Sequence, residues 1–300
     1  MTAINIKQLS KIYKGGFQAL KGVDLSIKKG SFFGLLGPNG AGKSTIIGIL
    51  SNLVTKTSGT IDILGQEMDI KNKSHSIHIG VVPQEFNLNM FEPCMQIICN
   101  QAGFYGVDYK TAKIRAEKYL KKMGLWEKRN TPSGQLSGGL KRRLMIVRAL
   151  IHEPKILILD EPTAGVDITL RHSMWAFLSE LNQSGLTIIL TTHYLEEAEK
   201  LCDTIAIINQ GQVLKVGDKH TLINTLKKER LILHCKPFHK DPLLENVLIK
   251  SITNNNIELI IDEAKPLSSI ITELQKQSIF VNRISQANSK LEDLFLELVS

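Results

Sequence analysis

The sequence has no apolar run that approaches the roughly 18 residues needed for a membrane-spanning helix. Residues 1–6 lack a basic segment followed by an apolar core, so we expect no secretory signal peptide. The chain has only four cysteines, and their spacing contains no CxxC pair. This pattern argues against a disulfide framework or a zinc site and favours reduced structural thiols. We therefore expect a cytosolic protein.

The composition is that of a globular protein with a substantial core, since 43% of the residues are hydrophobic and 22% are charged. A length of 300 residues suggests roughly two domains of ordinary size. The net charge of +8 suggests an acidic partner such as a nucleotide, an anionic membrane surface or a nucleic acid. The lysines are spread along the chain, so a solvated basic surface explains the charge equally well.

One segment, GPNGAGKST, satisfies the phosphate-loop pattern G-x-x-x-x-G-K-[ST]. Its glycines let the backbone curl into a nest of N–H donors around phosphate oxygens, and the helix that follows adds the positive end of its dipole. Lys43 can reach the β- and γ-phosphates, and the Ser44 hydroxyl can bind Mg²⁺. An apolar strand at 31–36 and an apolar helix at 46–50 provide the required context. The predicted nucleotide-binding residues are Gly37, Pro38, Asn39, Gly40, Ala41, Gly42, Lys43, Ser44 and Thr45.

A second apolar segment, residues 156–159, ends in two adjacent carboxylates, Asp160 and Glu161. An uninterrupted apolar run is expected of a parallel strand buried on both faces. Successive strand residues point in opposite directions, so the two carboxylates cannot share one role. One can hold Mg²⁺ while the other orients or deprotonates an attacking water.

Three further polar or aromatic residues suit a nucleotide site, although each also has an ordinary structural explanation. Gln84 follows an apolar strand at 79–82 and offers a carbonyl for a cation and an amide for a water. His193 follows an apolar strand at 186–190 and could contact a γ-phosphate or the nucleophilic water. Tyr13 precedes the phosphate loop by a strand hairpin, where its ring could stack on adenine.

The residue pattern alone leaves the roles of two other segments open. Ser137, Gly138 and Gly139 precede a strong amphipathic helix and form either a second anion site or a simple serine cap. Residues 86–106 are rich in Phe, Met, Ile and Asn without clean periodicity, which indicates either a small helical core or a partner surface.

The chain beyond about residue 222 carries no phosphate motif, and residues 227–230 have the composition of a linker. Its alternating and amphipathic patterns predict a small α+β domain. Ser289 and Glu292 form a capping-box signature before the last helix. The predicted strands lie at 231–235, 245–250, 257–262 and 279–284, and the predicted helices at 267–274 and 291–298.

Taken together, these motifs resemble the ATP-binding-cassette (ABC) family, specifically the ATPase subunit of a bacterial transporter. The resemblance covers residues 3 to about 218, and the final LEDLFL resembles the accessory domain of two-component exporters with a separate permease. It implies an α/β P-loop NTPase fold with a mixed sheet core, a helical subdomain at about 85–150 and an antiparallel β subdomain. The implied domains are residues 1–222 and 223–300, the second a small C-terminal α+β accessory domain.

The resemblance also implies a role for each matching residue. Tyr13 would stack on adenine, and Gly37 to Thr45 would hold the phosphates. Glu161 would be the general base, with His193 on the γ-phosphate and Gln84 also in the catalytic set. The implied metal ligands are Ser44, Gln84 and Asp160.

In this family two cassettes enclose two ATP molecules head to tail. Ser137, Gly138 and Gly139 of one subunit would therefore complete the site of the other, and Asp167 would belong to the loop that communicates across the dimer. The family also places a permease-docking surface after Gln84. In the family's signature motif, the two glycines that match Gly138 and Gly139 are usually followed by a glutamine, and this chain has Leu140 at that position. The serine and the glycines of the motif remain, so we expect hydrolysis to survive.

We therefore expect a homodimeric, Mg-dependent ATPase that uses ATP and Mg²⁺ and powers export through a separate integral membrane permease. It would lie peripherally on the cytoplasmic face of the membrane, with no nucleic acid as partner. A soluble ABC ATPase that acts on the ribosome or nucleic acid is the alternative, although one set of motifs and no sustained heptads argue against it. A regulatory module without turnover is a third possibility, opposed by the intact Glu161 and His193.

Overall fold

The computed structural model describes residues 1–69, 73–226, 228–238, 240–244, 247–253, 255–262 and 266–299. The chain divides into two units, Met1–Gly217 and Asp218–Ser300. We call them the cassette unit and the C-terminal unit. Within the described ranges, no helix is long and apolar enough to cross a membrane.

The cassette unit contains the elements that the apolar patterns predict. Its strands are β1 (Thr2–Ile12), β2 (Gln18–Lys28), β3 (Phe32–Leu36), β4 (Ser58–Ile63), β5 (Gln66–Glu67), β6 (Ile79–Val82), β7 (Ile156–Asp160), β8 (Thr187–Thr192), β9 (Thr204–Asn209) and β10 (Gln212–Asp218). Its helices are α1 (Lys43–Leu50), α2 (Cys94–Phe104), α3 (Tyr109–Lys122), α4 (Gly138–Leu150), α5 (Ile168–Gln183) and α6 (Leu195–Leu201). Short 3₁₀ turns lie at Lys73–His78, Trp126–Lys128 and Ser133–Gln135.

The C-terminal unit alternates strands and helices in the described residues. Its elements are α7 (Lys219–Ile223), β11 (Lys228–Cys235), β12 (Leu248–Ile252), β13 (Asn256–Asp262), α8 (Leu267–Lys276), β14 (Val281–Gln286) and α9 (Lys290–Val299).

The central sheet has the order β10-β9-β3-β8-β7-β6, and the pairs from β9 to β6 are parallel. Every residue of β3, β7 and β8 is buried, as expected of parallel strands covered on both faces. The prediction of a buried parallel strand before Asp160 is therefore confirmed. Because the carboxyl ends of parallel strands meet at one edge, the segments after β3, β6, β7 and β8 converge there.

A second sheet, of order β2-β1-β4-β5, is antiparallel throughout and forms the expected antiparallel β subdomain. In β2, Val23, Leu25 and Ile27 are buried while the residues between them are exposed. This alternation is the period of a strand with one face against the core.

Residues 86–106 contain both buried and exposed apolar side chains, so the structure supports the helical-core interpretation and leaves the partner surface a prediction. On α2 the side chains of Ile97, Ile98 and Ala102 are buried, so the segment does contribute a helical core. Phe91 and Phe104 are nevertheless 89% and 86% exposed. On α3, Ala112, Ala116, Tyr119 and Leu120 form a buried apolar face.

The C-terminal unit has an antiparallel sheet of order β12-β13-β11-β14 whose apolar side chains pack with those of α8. Strands and helices therefore combine here as the sequence patterns predict for an α+β domain. Ser289 caps α9, since its Oγ accepts the N–H of Glu292 at 3.2 Å. The predicted strand at 245–250 begins at Leu248; residues 245 and 246 lie outside the described part of the chain.

The linker prediction for residues 227–230 is wrong for residues 228–230, which form the start of β11. The polar composition suggested a loop, but the side chains of Glu229 and Arg230 form ion pairs in the strand. Glu229 pairs with Lys290, and Arg230 Nε lies 3.4 Å from Asp293 Oδ1. Lys227 lies outside the described residues.

Candidate functional site

The loop between β3 and α1 owes its shape to its glycines. A Cβ atom on Gly37 would lie 2.3 Å from the carbonyl oxygen of Ile208, so no side chain fits there. Gly42, the residue before α1, has φ 111°, a left-handed conformation that glycine adopts without steric cost. These two constraints let the chain turn from a buried strand directly into a helix.

The loop forms part of the wall of a cavity of about 330 Å³. The predicted residues Gln84 and Glu161 line the same cavity, so the structure brings residues from three strand ends together. Gly37, Pro38 and Ala41 of the loop are not among the lining residues. The lining residues are Phe17, Ala19, Asn39, Gly40, Gly42, Lys43, Ser44, Thr45, Gln84 and Glu161.

Lys43 is buried and held by the loop itself. Its Nζ donates to the carbonyl oxygen of Gly37 at 2.7 Å and to that of Pro38 at 3.0 Å. Burial lowers the pKa of the Lys43 ammonium, while the Glu161 and Asp160 carboxylates act in the opposite direction. The loop thus presents a cation and backbone amides to one cavity, the combination that binds phosphate groups.

Glu161 lies at the centre of a hydrogen-bonded array at the rim of the cavity. Its Oε2 accepts from Nε2 of Gln84 at 3.0 Å, and its Oε1 lies 3.1 Å from Nδ1 of His193. The residue has φ 47°, and its backbone N–H donates to the carbonyl oxygen of Thr191 at 3.0 Å. This uncommon conformation for a residue other than glycine directs the chain out of β7 and the carboxylate toward Gln84 and His193.

Asp160, the last residue of β7, has different partners. Its carboxylate accepts a hydrogen bond from the hydroxyl of Thr191 on the neighbouring strand β8. Burial raises the pKa of Asp160 against the effect of this hydrogen bond. The adjacent carboxylates therefore contact separate groups, as expected from the alternation of strand residues.

The oxygen-bearing side chains at this edge fit a magnesium ion. Ser44 offers a hydroxyl and Asp160 a carboxylate, and the Gln84 amide oxygen remains an acceptor because its nitrogen donates to Glu161. Magnesium prefers hard oxygen ligands and is often bound through a few side chains and substrate phosphates. The described residues contain no group of three or more His, Cys, Asp or Glu side chains suited to a metal.

Two aromatic residues lie near the loop. The Tyr13 hydroxyl lies 3.4 Å from Oγ1 of Thr45, and Lys11 Nζ is 4.9 Å from the centre of the Tyr13 ring. Phe17, which sequence reasoning did not single out, lines the cavity and is 65% exposed. A turn through Gly15 and Gly16 brings Phe17 back toward Tyr13, whose N–H donates to the Phe17 carbonyl oxygen at 2.9 Å.

The Ser137–Gly139 segment at the start of α4 is separate from the residues around the phosphate-loop cavity. Ser137 caps α4, with its Oγ 3.5 Å from the N–H of Leu140. Gly139 packs so closely that a Cβ there would lie 2.6 Å from Cδ1 of Leu170. Ser137 and Gly138 are exposed, and none of the three predicted signature residues is among the described residues that line the phosphate-loop cavity.

Arg142 is a second residue that the sequence reasoning missed. It is 3% exposed, and its guanidinium donates to the backbone carbonyl oxygens of Pro83 and Gln84. A signal was present in the sequence, because Arg142 shares the helical spacing of Gly139, Ile146 and Ala149, which are buried on α4. A charged residue within a buried stripe requires a specific partner.

Comparisons with known proteins agree with this geometry. Residues 20–164 match the family described as ABC transporter. The chain is 35% identical to the linearmycin resistance ATP-binding protein LnrL of Bacillus subtilis (strain 168), over 98% of this chain and 97% of that protein. It is 37% identical to the Nod factor export ATP-binding protein I of Burkholderia orbicola (strain AU 1054), over 74% of this chain and 73% of that protein.

Solved structures show the same fold. A bacterial ABC transporter cassette solved as a dimer matches with a TM-score of 0.67 and 30% identity, covering 72% of this chain and 98% of that one. A dimeric cassette in a post-hydrolysis state, bound to ADP and Pi, matches with a TM-score of 0.66, 30% identity and the same coverage.

The fold and the phosphate loop define a P-loop ATPase of the cassette type. The chain belongs to the ABC transporter family, as an ATP-binding and ATP-hydrolysing subunit of the exporter type. The predicted family, fold class and ATPase activity are confirmed. The alternative of a soluble ATPase acting on ribosomes or nucleic acid is not favoured by these relatives.

Proposed function

We propose that this chain hydrolyses Mg-ATP through Gln84, Glu161 and His193, and that closure and reopening of a cassette dimer drive export through a separate permease. The observation that carries the proposal is the array around Glu161 at the rim of the phosphate-loop cavity. A carboxylate with two polar neighbours next to a phosphate site is the arrangement needed to orient and deprotonate a water.

In this proposal Glu161 is the general base. Gln84 and His193 hold its carboxylate in place, and the exposed His193 side chain also contacts the γ-phosphate. When bound, Mg²⁺ neutralises phosphate charge, and Ser44, Gln84 and Asp160 are the residues that would hold it. Lys43 and the backbone amides of Gly37 to Thr45 bind the phosphates, and Tyr13 stacks on adenine.

A head-to-tail dimer would explain why Ser137, Gly138 and Gly139, at the start of α4, do not line the chain's own phosphate-loop cavity. Ser137 and Gly138 are exposed and lie outside the chain's own phosphate-loop cavity, so they are free to face another subunit. We infer that the Ser137–Gly139 turn of one subunit contacts the ATP bound by the other, and that Asp167 joins the loop across the dimer. ATP binding closes this dimer and hydrolysis reopens it, because ATP and its products have different affinities for the two states.

The permease would dock beside α2. A groove of about 710 Å³ there is lined by residues of α2, the preceding loop and α4. Phe91 nearby and Phe104 in its wall are almost fully exposed, and exposed apolar side chains of this size are typical of a protein interface. The groove residues are Asn87, Asn89, Glu92, Ile97, Cys99, Asn100, Gln101, Gly103, Phe104 and Arg148. This contact would place the subunit peripherally on the cytoplasmic face of the membrane.

Affinity purification of the tagged full-length chain from mildly solubilised host membranes tests the proposal. We expect a polytopic membrane protein in near one-to-one ratio, and a much lower yield of it with Phe104→Ser. The matched control is Leu53→Ser, which also removes an exposed apolar side chain, 82% accessible, but outside the groove lining. Recovery of ribosomes or nucleic acid without a membrane protein would contradict the transporter assignment and leave the ATPase chemistry intact.

A further inference from the structure

The segment that carries Gln84 is fastened to helix α4 by two arginines. Arg142 donates from Nη1 to the carbonyl oxygen of Pro83 and from Nη2 to that of Gln84, both at 2.7 Å. Arg148 donates from Nη1 to the carbonyl oxygen of Asn87 at 3.0 Å and from Nη2 to the Asn87 side chain. Residues 83–87 are therefore held to α4 at both ends.

The Arg142 bonds fix the backbone on both sides of Gln84. The Pro83 carbonyl belongs to the planar peptide unit before the Gln84 Cα atom, and the Gln84 carbonyl belongs to the unit after it. When both units are held by one rigid guanidinium fork, the direction in which the Gln84 side chain leaves the backbone is set. That side chain donates to Glu161 at 3.0 Å.

The contacts that the structure gives for the Arg142 side chain lie within the Gln84 segment. Its Cζ lies 4.9 Å from the centre of the Phe86 ring, a cation–π contact within the same segment. Its Nε is buried without a hydrogen-bond partner among the described residues. Burial lowers the pKa of the guanidinium, and the Asp160 and Glu161 carboxylates oppose this effect.

We propose that Arg142 is a positioning residue for ATP hydrolysis, which acts through Gln84 by holding its carboxamide against Glu161. Because Arg142 lies on the helix that begins at Ser137, the contact also ties the Gln84 segment to the signature helix. This inference rests on the proposed role of Glu161. Arg142 thereby joins Gln84, Glu161 and His193 as a residue needed for hydrolysis, although it contacts neither the nucleotide nor the reacting atoms.

The test is a double-mutant cycle on the full-length chain with Arg142→Lys and Gln84→Ala. A lysine ammonium cannot reproduce the two-carbonyl fork, so Arg142→Lys should lower kcat about tenfold, the cost of one charge-assisted hydrogen bond. The KM for ATP should change less than about threefold, since the loop residues bind the phosphates. In the Gln84→Ala background the same substitution should change kcat less than about twofold, because the residue it positions is gone.

Arg129→Lys is the matched control. Arg129 also donates to a backbone carbonyl oxygen, that of Trp126 at 3.0 Å, and lies 4.4 Å over the Trp126 ring. It has no contact with residues 83–87 in the described structure, and its replacement should change kcat no more than about twofold in either background.

Thermal unfolding of each variant shows whether it is folded at the assay temperature. A merely structural role for Arg142 predicts independent effects, so an undiminished loss of kcat in the Gln84→Ala background would overturn the inference. A Gln84→Ala variant with wild-type kcat would also overturn it. These outcomes are distinct from failure of the proposed function, which Glu161→Gln tests without changing Arg142 or Gln84.

Discussion

Nε2 of Gln84 donates to Oε2 of Glu161 at 3.0 Å, although the two residues are separated by most of the helical region in sequence. The contact exists because β6 and β7 are parallel neighbours, so the residues that follow them emerge at the same edge of the sheet. His193, after β8, reaches the other oxygen of the same carboxylate. Three strand ends thus define the chemistry proposed for this chain.

The first prediction concerns the residue that contacts the adenine ring. If the Tyr13 ring stacks on adenine, Tyr13→Ala should raise the KM for ATP roughly fivefold or more and leave kcat unchanged. Phe17 lines the cavity, so Phe17→Ala is measured in parallel. A rise in KM with Phe17→Ala alone would transfer the stacking role from Tyr13 to Phe17.

Leu140 yields the second prediction. We expect the wild-type chain to turn over ATP, and Leu140→Gln to change kcat by no more than about tenfold, the value of one added neutral hydrogen bond. The cap of α4 uses the backbone N–H of residue 140, so the substitution preserves it. Leu140→Met, which conserves volume and adds no hydrogen-bonding group, is the control. An inactive wild type whose turnover is restored by Leu140→Gln would indicate a regulatory module.

His152 yields a prediction on stability. Its ring stacks on Tyr105 with centroids 3.7 Å apart and lies 3.2 Å from the carbonyl oxygen of Ile79. Burial lowers its pKa to about 4, with Arg115 acting in the same direction and the Ile79 hydrogen bond opposing it. The unfolded chain, with a histidine pKa of about 6.5, therefore binds more protons than the folded chain between these values.

Because the unfolded chain binds more protons, the free energy of unfolding decreases as the pH falls from about 6.5 toward about 4. The His152 contribution to this decrease is at most about 3 kcal/mol. Urea unfolding across this range should show that the wild type loses more stability than His152→Phe as the pH falls. His172→Phe is the control, because the His172 side chain is exposed. An unchanged slope in His152→Phe would refute the assignment.

Much of the architecture could be predicted because it is encoded locally. The phosphate loop is a contiguous pattern, and the buried strands before Gln84, Glu161 and His193 are visible as short apolar runs. The prediction that the phosphate loop, Gln84, Glu161 and His193 form one site came from the resemblance to ABC ATPases. The structure adds the distances and shows that the two carboxylates have separate partners.

The features that could not be predicted depend on contacts between distant segments. Phe17 reaches the cavity through the geometry of a glycine turn. Arg142 can be buried because carbonyl groups some 60 residues away in sequence accept hydrogen bonds from it. Residues 228–230 are polar enough for a loop, yet their backbone pairs with β13, and Glu229 and Arg230 form ion pairs with α9. Residues 86–106 showed no clean periodicity because they contribute both to a core and to an exposed surface.

The most direct test of the account is single-turnover and steady-state hydrolysis by Glu161→Gln. The amide keeps the shape of the side chain but cannot accept a proton from water, so we predict a loss of kcat of at least about 10²-fold. ATP affinity should stay within about threefold of wild type, and the variant should migrate as an ATP-stabilised dimer in size-exclusion chromatography. Steady-state hydrolysis by Glu161→Gln near the wild-type rate would contradict the account, because it would remove Glu161 from the role of base.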